Sequence, residues 1–410
     1  MVRYDVIIVG SGPAGLFAAI ALGSKNKKVI VLEKNNVAGK KLLLSGSGQC
    51  NITQDGSIED FANHYGDHYK YIKKALQFFT NSDTVYFFEQ LGLEMESLDN
   101  GKIFPKTRSA RNVLDLLLKE CARYGVTINY GEPVTRISQV QEGYLVETNR
   151  ERYNGEFVVV ATGGMSYPKT GSTGDGYTLG ADLGHQIIKP LPALTPVEIK
   201  DFPFKDLAGI SISDLPIAIW REGKKVKACR GDVLFTHKGL SGPGILNNSR
   251  WMRSKDILCL NFIKEMDVVA FNKALLDEIN SSGKEMIKTV LRKQPLPKRL
   301  LDGILTHINI PEEMQCGKIN KQTRSLIVKS LVACPLTISQ MGGYHIAMVT
   351  TGGISMKQVN PTTMESRISK NLYFIGEVLD IDGDTGGYNI QAALSTAKLC
   401  AHGINRKGTQ

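Results

Sequence analysis

The chain has 410 residues, 42% of them hydrophobic and 22% charged, the composition of a folded protein; one undivided core stops growing at about 250 to 300 residues, so two or three domains are expected. A net charge of +10 and a pI near 9.1 suit nucleic acid, an anionic membrane or an anionic ligand, and select none of them. No apolar run reaches the roughly 18 residues of a membrane span, and the seven cysteines lack any CxxC pair, which excludes a disulfide framework and a zinc site and points to a reducing cytoplasm.

The first residues run into a four-residue apolar strand, Val6-Ile7-Ile8-Val9, too short for the core of a signal peptide. A glycine turn, a small-residue helix from Pro13 to Leu22 and a second strand, Val29-Ile30-Val31-Leu32, follow, with Glu33 at the end. This is a βαβ unit whose strands are apolar on both faces. The turn Gly10-Ser11-Gly12-Pro13-Ala14-Gly15 reads GxGxxG. Its first glycine permits the tight turn, its second lets a pyrophosphate approach the backbone, and its third lets helix and strand pack closely. The helix start offers free N–H groups to phosphate, and Glu33 is placed to accept from a ribose hydroxyl. An ordinary glycine turn lacks this register of strand, helix and acid.

Two lysines, Lys40 and Lys41, then precede the Ser/Gly-rich stretch Ser45-Gly46-Ser47-Gly48-Gln49-Cys50-Asn51. Cations and exposed amides suit phosphate, and small residues suit the close passage of a flat ring. A third buried strand, Phe157-Val158-Val159-Val160, runs into Ala161-Thr162-Gly163-Gly164, and a fourth, Leu372-Tyr373-Phe374-Ile375, into Gly376-Glu377. One parallel sheet assembled from distant pieces explains all four, with its ligand crevice at their carboxyl ends. A ligand held by segments so far apart in sequence is long, and an extended FAD meets that demand better than a nicotinamide cofactor.

The glycine turn Thr170 to Gly176 has no acid-ended strand after it and reads as the start of a helix from Tyr177 to Leu183 rather than as a second nucleotide site. Between the third and fourth strands the character changes. Residues 193–265 carry prolines and short alternating runs, Ile210-Ser211-Ile212 and Ile217-Ala218-Ile219, which read as antiparallel strands; residues 266–337 are helical and basic. Domain boundaries are therefore expected at 1–192, 193–265, 266–337 and 338–410. Within the insertion, His237 in Thr236-His237-Lys238-Gly239-Leu240-Ser241-Gly242-Pro243 is a candidate proton donor or acceptor, with a structural hydrogen bond in a turn as its plain alternative. Cys50 reads as a small packed residue before a redox centre, His185 as a helix C-terminal cap, and the seven histidines form no metal constellation. Near the end, Asp384-Thr385-Gly386-Gly387-Tyr388-Asn389 opens a helical stretch beginning at Ile390.

Four of these segments together resemble the HI0933-like, or BaiN/RdsA, group of bacterial flavoproteins: GSGPAGL, GKKLLLSGSGQCN, Ala161 to Gly176, and Thr351-Gly352-Gly353 through Gln391. The family commonly has arginine before the Cys-Asn pair; Gln49 here removes that cation. The resemblance implies an α/β fold with a Rossmann-like FAD-binding domain of glutathione-reductase type built from both chain ends, around an inserted β-rich plus helical domain. It implies that Gly10, Ser11, Gly12, Pro13, Ala14 and Gly15 form the pyrophosphate turn, with Glu33 and Lys34 at the adenosine ribose and Val134 at adenine. Lys40, Lys41, Ser45, Gly46, Gly48, Cys50, Asn51, Ala161, Thr162 and Gly163 would line the cofactor. Gly376, Glu377 and Asp380 would face its pyrophosphate and ribityl chain, and Gly386, Gly387, Tyr388, Asn389 and Ile390 its flavin, where a helix start favours the negative charge of the reduced ring.

The function expected is an FAD-dependent oxidoreductase acting on a small or medium organic substrate, with NAD(P)H as transient donor or oxygen as acceptor. The alternatives are a flavin-dependent RNA-modifying protein and a non-catalytic flavin redox sensor. The basic residues are dispersed among Glu and Asp and no aromatic-rich RNA-binding motif is present, which counts against nucleic acid as partner.

Overall fold

The computed structural model describes residues 3–407. The chain divides into two compact units, residues 1–193 with 347–410, and residues 194–346.

The first unit is built on a seven-stranded sheet. Strand β1 (Arg3–Val9), helix α1 (Pro13–Gly23) and strand β2 (Val29–Glu33) form the βαβ unit, with β1 and β2 parallel from Val6 opposite Val29 to Val9 opposite Leu32. β1 lies between β2 and the strand Arg152–Val160, also parallel, and Thr127–Tyr130 extends the sheet beyond β2. Leu372–Phe374 pairs in parallel with Val158 to Val160, so all four expected strands share one sheet. Val134, expected at adenine, opens an antiparallel hairpin, Val134–Val140 and Gly143–Thr148, which pairs with the other half of Arg152–Val160. In Gly143–Thr148 the buried Tyr144 and Val146 alternate with part-exposed residues, and Val134–Val140 buries only Ile137, which marks a sheet wet on one face, whereas β2 is buried throughout.

Helix α1 is buried from Ala14 to Gly23 because it lies under two neighbours, Ala110–Arg123 and the final helix Tyr388–Lys407. Its small residues let those helices approach. The final helix begins two residues earlier and ends later than the Ile390 to Ala401 stretch, since Asn389 and the following turns continue the packed stripe. The helix expected over Tyr177 to Leu183 is Asp175–Asp182, and His185 behind it places its ring nitrogens on the Gly180 carbonyl and Ser366 Oγ (2.8 Å). Burial lowers the pKa of that imidazole, so it is a neutral structural cap.

The second unit is a closed six-stranded barrel with five helices, the one-turn Pro243–Leu246 and then Val268–Ser281, Ile287–Leu291, Lys298–His307 and Lys321–Val332. The runs Ile210 to Ile212 and Ile217 to Ile219 belong not to two strands but to one, Ser211–Arg221, which pairs with Lys224–Phe235. A register shift between Ile212 and Leu215, with Asp214 at φ 47°, bends it without ending it. Barrel and helices share a single apolar core running from Val197 and Leu215 to Leu275, Ile304 and Leu331. The strand Cys334–Met341 pairs with both Ile257–Leu260 and Val197–Ile199 and closes the barrel, so the boundary expected at residue 338 falls inside a strand and the chain rejoins the first unit only at Ala347.

Burial raises the thiols of Cys50 and Cys229 to about 11, and those of Cys121 and Cys334 to about 12, from 9.0. A raised acid pKa means that the folded state favours the protonated form. The resulting stability is complete below pH 9.0 and is lost as pH rises through about 11 to 12. Ultraviolet thiolate absorbance of the native protein should stay low through pH 9.0 and rise together with unfolding above it. Full thiolate absorbance in folded protein near pH 9.0 would contradict this burial.

Candidate cofactor site

Three strand ends meet at the first glycine. Gly10 N donates to the Leu32 carbonyl and Ala161 N to the Val9 carbonyl, each at 2.9 Å. Gly10 has φ 104°, and a Cβ there would stand 2.6 Å from the Ala161 oxygen, so no other residue fits. A Cβ on Gly15 would overlap the Gly10 carbonyl, which sets α1 tight against the turn. Gly12 differs: a Cβ there would meet nothing within 4 Å. It is the N-cap of α1 with no side-chain cap, and Pro13 follows at the first helical position. The first-turn amides of Ala14 and Gly15 have no intrahelical partner, and the backbone beside them opens onto free space. A pyrophosphate fits such a cradle: amide donors, the positive end of a helix, and no side chain in the way.

Glu33 is only 7% exposed, yet its carboxylate is fully engaged. One oxygen accepts from Ser11 N (3.0 Å) and Ser11 Oγ (2.6 Å), the other from Asn35 N (2.8 Å) and Asn35 Nδ2 (2.7 Å). Buried carboxylates persist only where donors surround them, and here the donors fix the acid beside the glycine turn. Asn35 also accepts from Lys40 Nζ (3.0 Å) and donates to the Thr170 carbonyl. Lys34 pairs with Asp175 and bonds Thr173, so the turn Thr170 to Gly176 is anchored at this end of β2. Gly131 N and Glu132 N donate to the Asn35 and Glu33 carbonyls, which brings the segment leading to Val134 alongside. Asn35 had no motif to announce it. Its position two residues after the acid was the one available signal.

At the far segment, Ile375 N donates to the Val160 carbonyl (3.1 Å), and Gly376, with φ 69°, packs against Ala14 so closely that a Cβ would lie 2.9 Å away. The end of the last sheet strand thus sits at the start of α1. Glu377 accepts from Lys41 Nζ at 2.6 and 2.8 Å and from Thr350 N at 3.0 Å. Lys41 therefore neutralises a carboxylate, whereas Lys40 bonds only the neutral amide of Asn35 and keeps its charge. Gly163 has φ 74° in the turn after Thr162, whose hydroxyl lies where a Cβ on Gly176 would be.

The start of the final helix meets the Ser/Gly-rich segment: a Cβ on Gly387 would fall 2.6 Å from the Thr53 backbone, and one on Gly386 3.1 Å from Gln54. Ser45 Oγ bonds the Leu42 carbonyl, Gly46 and Gly48 take positive φ, and the Asn51 amide donates to the Thr53 carbonyl (2.8 Å), tying the segment to the strand Lys102–Pro105. Cys50 is fully buried with φ 61°, and its raised pKa keeps it a thiol. Asn389 clamps the preceding loop, its Oδ1 accepting from Gly383 N (2.8 Å) and its Nδ2 donating to the Gly383 and Asp384 carbonyls. Tyr388 stacks on His64 (4.1 Å, 16°), whose Nδ1 meets Asp384 at 3.1 Å, and Ile390 follows in the first turn. Asp380 faces His68, which lies 3.7 Å from it and 3.7 Å from Asp382; burial raises the Asp380 carboxyl and the adjacent Asp382 adds to that. His64 and His68 gave no signal in the sequence, because their partners lie more than three hundred residues away.

His237 lies in the second unit, exposed in the turn between Lys224–Phe235 and Gly239–Ser241, and its ring has no hydrogen-bond partner among the described residues. The turn is held instead by Thr236, which accepts from Gly239 N at 3.1 Å.

A family model, HI0933-like protein Rossmann domain, matches residues 4–403. The ribosomal RNA dihydrouridine synthase of Haemophilus influenzae is 32% identical over 98% of each chain. The 3-dehydro-bile acid delta(4,6)-reductase of Clostridium scindens is 29% identical over 96% of this chain and 97% of its own. Among solved structures, FrdA of Escherichia coli quinol fumarate reductase shares the fold with a TM-score of 0.51 at 15% identity, covering 100% of this chain and 71% of that one. No helix among the described residues is long and apolar enough to cross a membrane. The uncapped glycine turn, the engaged acid after it and the match over nearly the whole length place the chain in the HI0933-like family of FAD-dependent oxidoreductases.

Proposed function

We propose that this protein reduces a carbon–carbon double bond conjugated to a carbonyl, with FAD resident in the cradle described above and NAD(P)H as transient donor. The observation that carries the reading is the joining of both chain segments at one place, Gly376 against Ala14 and Gly387 against Thr53, as a long cofactor requires. Bound there, FAD supplies the two-electron transfer. In this proposal the amides of Ala14 and Gly15 hold the pyrophosphate, a hydroxyl of the adenosine ribose takes the place of Ser11 Oγ on Glu33, and Glu377, fixed by Lys41, faces the ribityl hydroxyls. The free N–H groups at Tyr388 to Ile390 lie at the positive end of a twenty-residue helix and favour negative charge on the reduced ring. Cys50, kept protonated, packs beside it and takes no electrons.

The choice of bond follows from what the relatives' names share. Dihydrouridine differs from uridine by saturation of a ring double bond conjugated to a carbonyl, and a 3-dehydro delta(4,6) bile acid presents the same conjugation. One reaction centre serves both, whether the substrate is a free small molecule or a base in RNA.

Anaerobic mixing of the yellow FAD form with NADH and with NADPH, followed by an acceptor panel, tests the reading. Bleaching by one nicotinamide and return of colour with a conjugated enone are expected. Return of colour with oxygen or quinones alone would sink it.

A further inference from the structure

Both tryptophans of the chain, Trp220 and Trp251, lie at one end of the barrel in the second unit. Trp220 is the second-to-last residue of the strand Ser211–Arg221, and Trp251 ends the short turn that leads into Ile257–Leu260. The two places are tied together. Arg221 donates to the Trp251 carbonyl (2.9 Å) and forks onto Asp256 (2.8 and 2.9 Å), while Trp220 pairs across strands with Lys225 and Ile257. Each ring carries a lysine ammonium over its face: Lys227 over Trp251 at 4.6 Å and Lys225 over Trp220 at 5.8 Å. Trp251, Val226 and Ile257 are 37%, 39% and 39% exposed.

The charge is one-sided. Residues 220–227 and 250–256 hold seven cations, Arg221, Lys224, Lys225, Lys227, Arg250, Arg253 and Lys255, against Glu222 and Asp256. Asp256 is buried and spent on Arg221. Lys224, Lys225, Lys227, Arg253 and Lys255 have no carboxylate partner among the described residues, and all but Lys227 are exposed. In the helical part Lys288 is paired with Asp302 and Glu312, and Lys293 with Glu278, while lysines such as Lys273 and Lys321 are unpaired among the described residues. What sets the hairpin apart is that its unpaired lysines Lys225 and Lys227 stand over the two tryptophan rings.

We propose that this end of the barrel is a docking surface for single-stranded RNA. Lysines and arginines meet phosphate, and a ring flanked by an ammonium grips a base by stacking, a pairing that serves any sequence. An anionic membrane is the competing partner for cations beside tryptophan. Here the ring faces are shared with lysines and the exposed apolar neighbours are single residues, so the surface offers no continuous apolar face for acyl chains. The proposal rests on the reading above in one respect, that a uracil ring can carry the reducible bond; binding itself is measured without turnover.

The experiment uses the full FAD-loaded chain and a labelled uridine-rich single-stranded RNA, titrated by anisotropy over a salt series. Wild type should bind with a steep salt dependence. The triple variant Lys224→Gln, Lys225→Gln, Lys227→Gln should bind more weakly, with the slope of log affinity against log salt reduced by about 2, roughly 0.7 for each lost contact. Trp251→Ala should weaken binding roughly 10-fold through lost stacking. FAD content, melting temperature and reduction of a free enone should not change in either variant. Equal affinity and slope in wild type and triple variant, absence of RNA binding at low salt, or displacement of RNA by anionic lipid vesicles would each overturn the proposal. Failure of wild type to reduce any enone, with RNA binding intact and sensitive to the triple variant, would overturn the reaction and leave the surface standing.

Discussion

Replacing Glu33 with arginine is expected to give protein that purifies colourless and does not retain added FAD. The carboxylate is buried and accepts four hydrogen bonds, all from Ser11 and Asn35. A guanidinium has no acceptor to offer, so four donors would face a cation and the glycine turn would lose the group that fixes its Ser11. Because that change endangers the fold as well, Glu33→Gln is the decisive companion. It keeps the shape and one acceptor but removes the charge, and hydrogen bonds to a charged group contribute about 1.5 to 3 kcal/mol, so FAD affinity should fall roughly 10- to 100-fold with the melting transition still cooperative. Apoprotein titrated with FAD by flavin fluorescence reads the loss directly. Wild-type affinity in Glu33→Gln would show that the acid serves the turn and not the cofactor.

Two glycines of opposite surroundings, Gly12 facing open space and Gly15 pressed against the Gly10 carbonyl, give the second large effect. Gly12→Val adds a side chain where nothing lies within 4 Å, at an extended backbone (φ −73°, ψ −179°) that valine accepts. The fold should therefore hold, with stability lowered by about 1 kcal/mol because valine is a poorer N-cap than glycine, while the space a pyrophosphate would occupy is filled and FAD is lost. Gly15→Ala reverses the pattern. Its Cβ would overlap the Gly10 carbonyl, so α1 must move away from the strand end, at a cost of about 1 to 3 kcal/mol, and cofactor retention falls as a consequence of the displaced turn. Urea unfolding of the apoproteins beside FAD titration separates the two. A Gly12→Val protein that remains yellow would remove this turn from the cofactor's path.

The sheet was legible because its central strands are buried on both faces and read as unbroken apolar runs ending in glycine. The antiparallel hairpin Val134–Val140 and Gly143–Thr148 was not, since its alternation is shared by many surface strands and nothing local says which strand it joins. The bend at Asp214 was missed for a related reason: a bulge adds a residue without changing composition, and only the partner strand's register exposes it. In the candidate site, Gly10 to Gly15 and Glu33 stood out because their chemistry is sequential. Lys41 and Glu377 were each expected along the cofactor, but their pairing with one another, like that of His64 with Asp384, joins residues more than three hundred apart and no local spacing announces it.

Charge shows the same division. The sequence alone determined a net surplus of +10, a βαβ nucleotide turn with its acid, and a family whose motifs are spread over the whole chain. Those follow from local periodicity and from spacings within one turn or one strand. What only the tertiary structure decided is which residues act together. In sequence the basic residues are interleaved with acids; folded, Lys288 and Lys293 pair with acids, and the barrel hairpin of Ser211–Arg221 with Lys224–Phe235 carries Lys224, Lys225 and Lys227 to the same barrel end as Trp251 and Arg253. Screening confines electrostatic interaction to about 8 to 10 Å at ordinary salt, so the field a partner feels depends on neighbours in space, and strand pairing, not chain order, sets those neighbours.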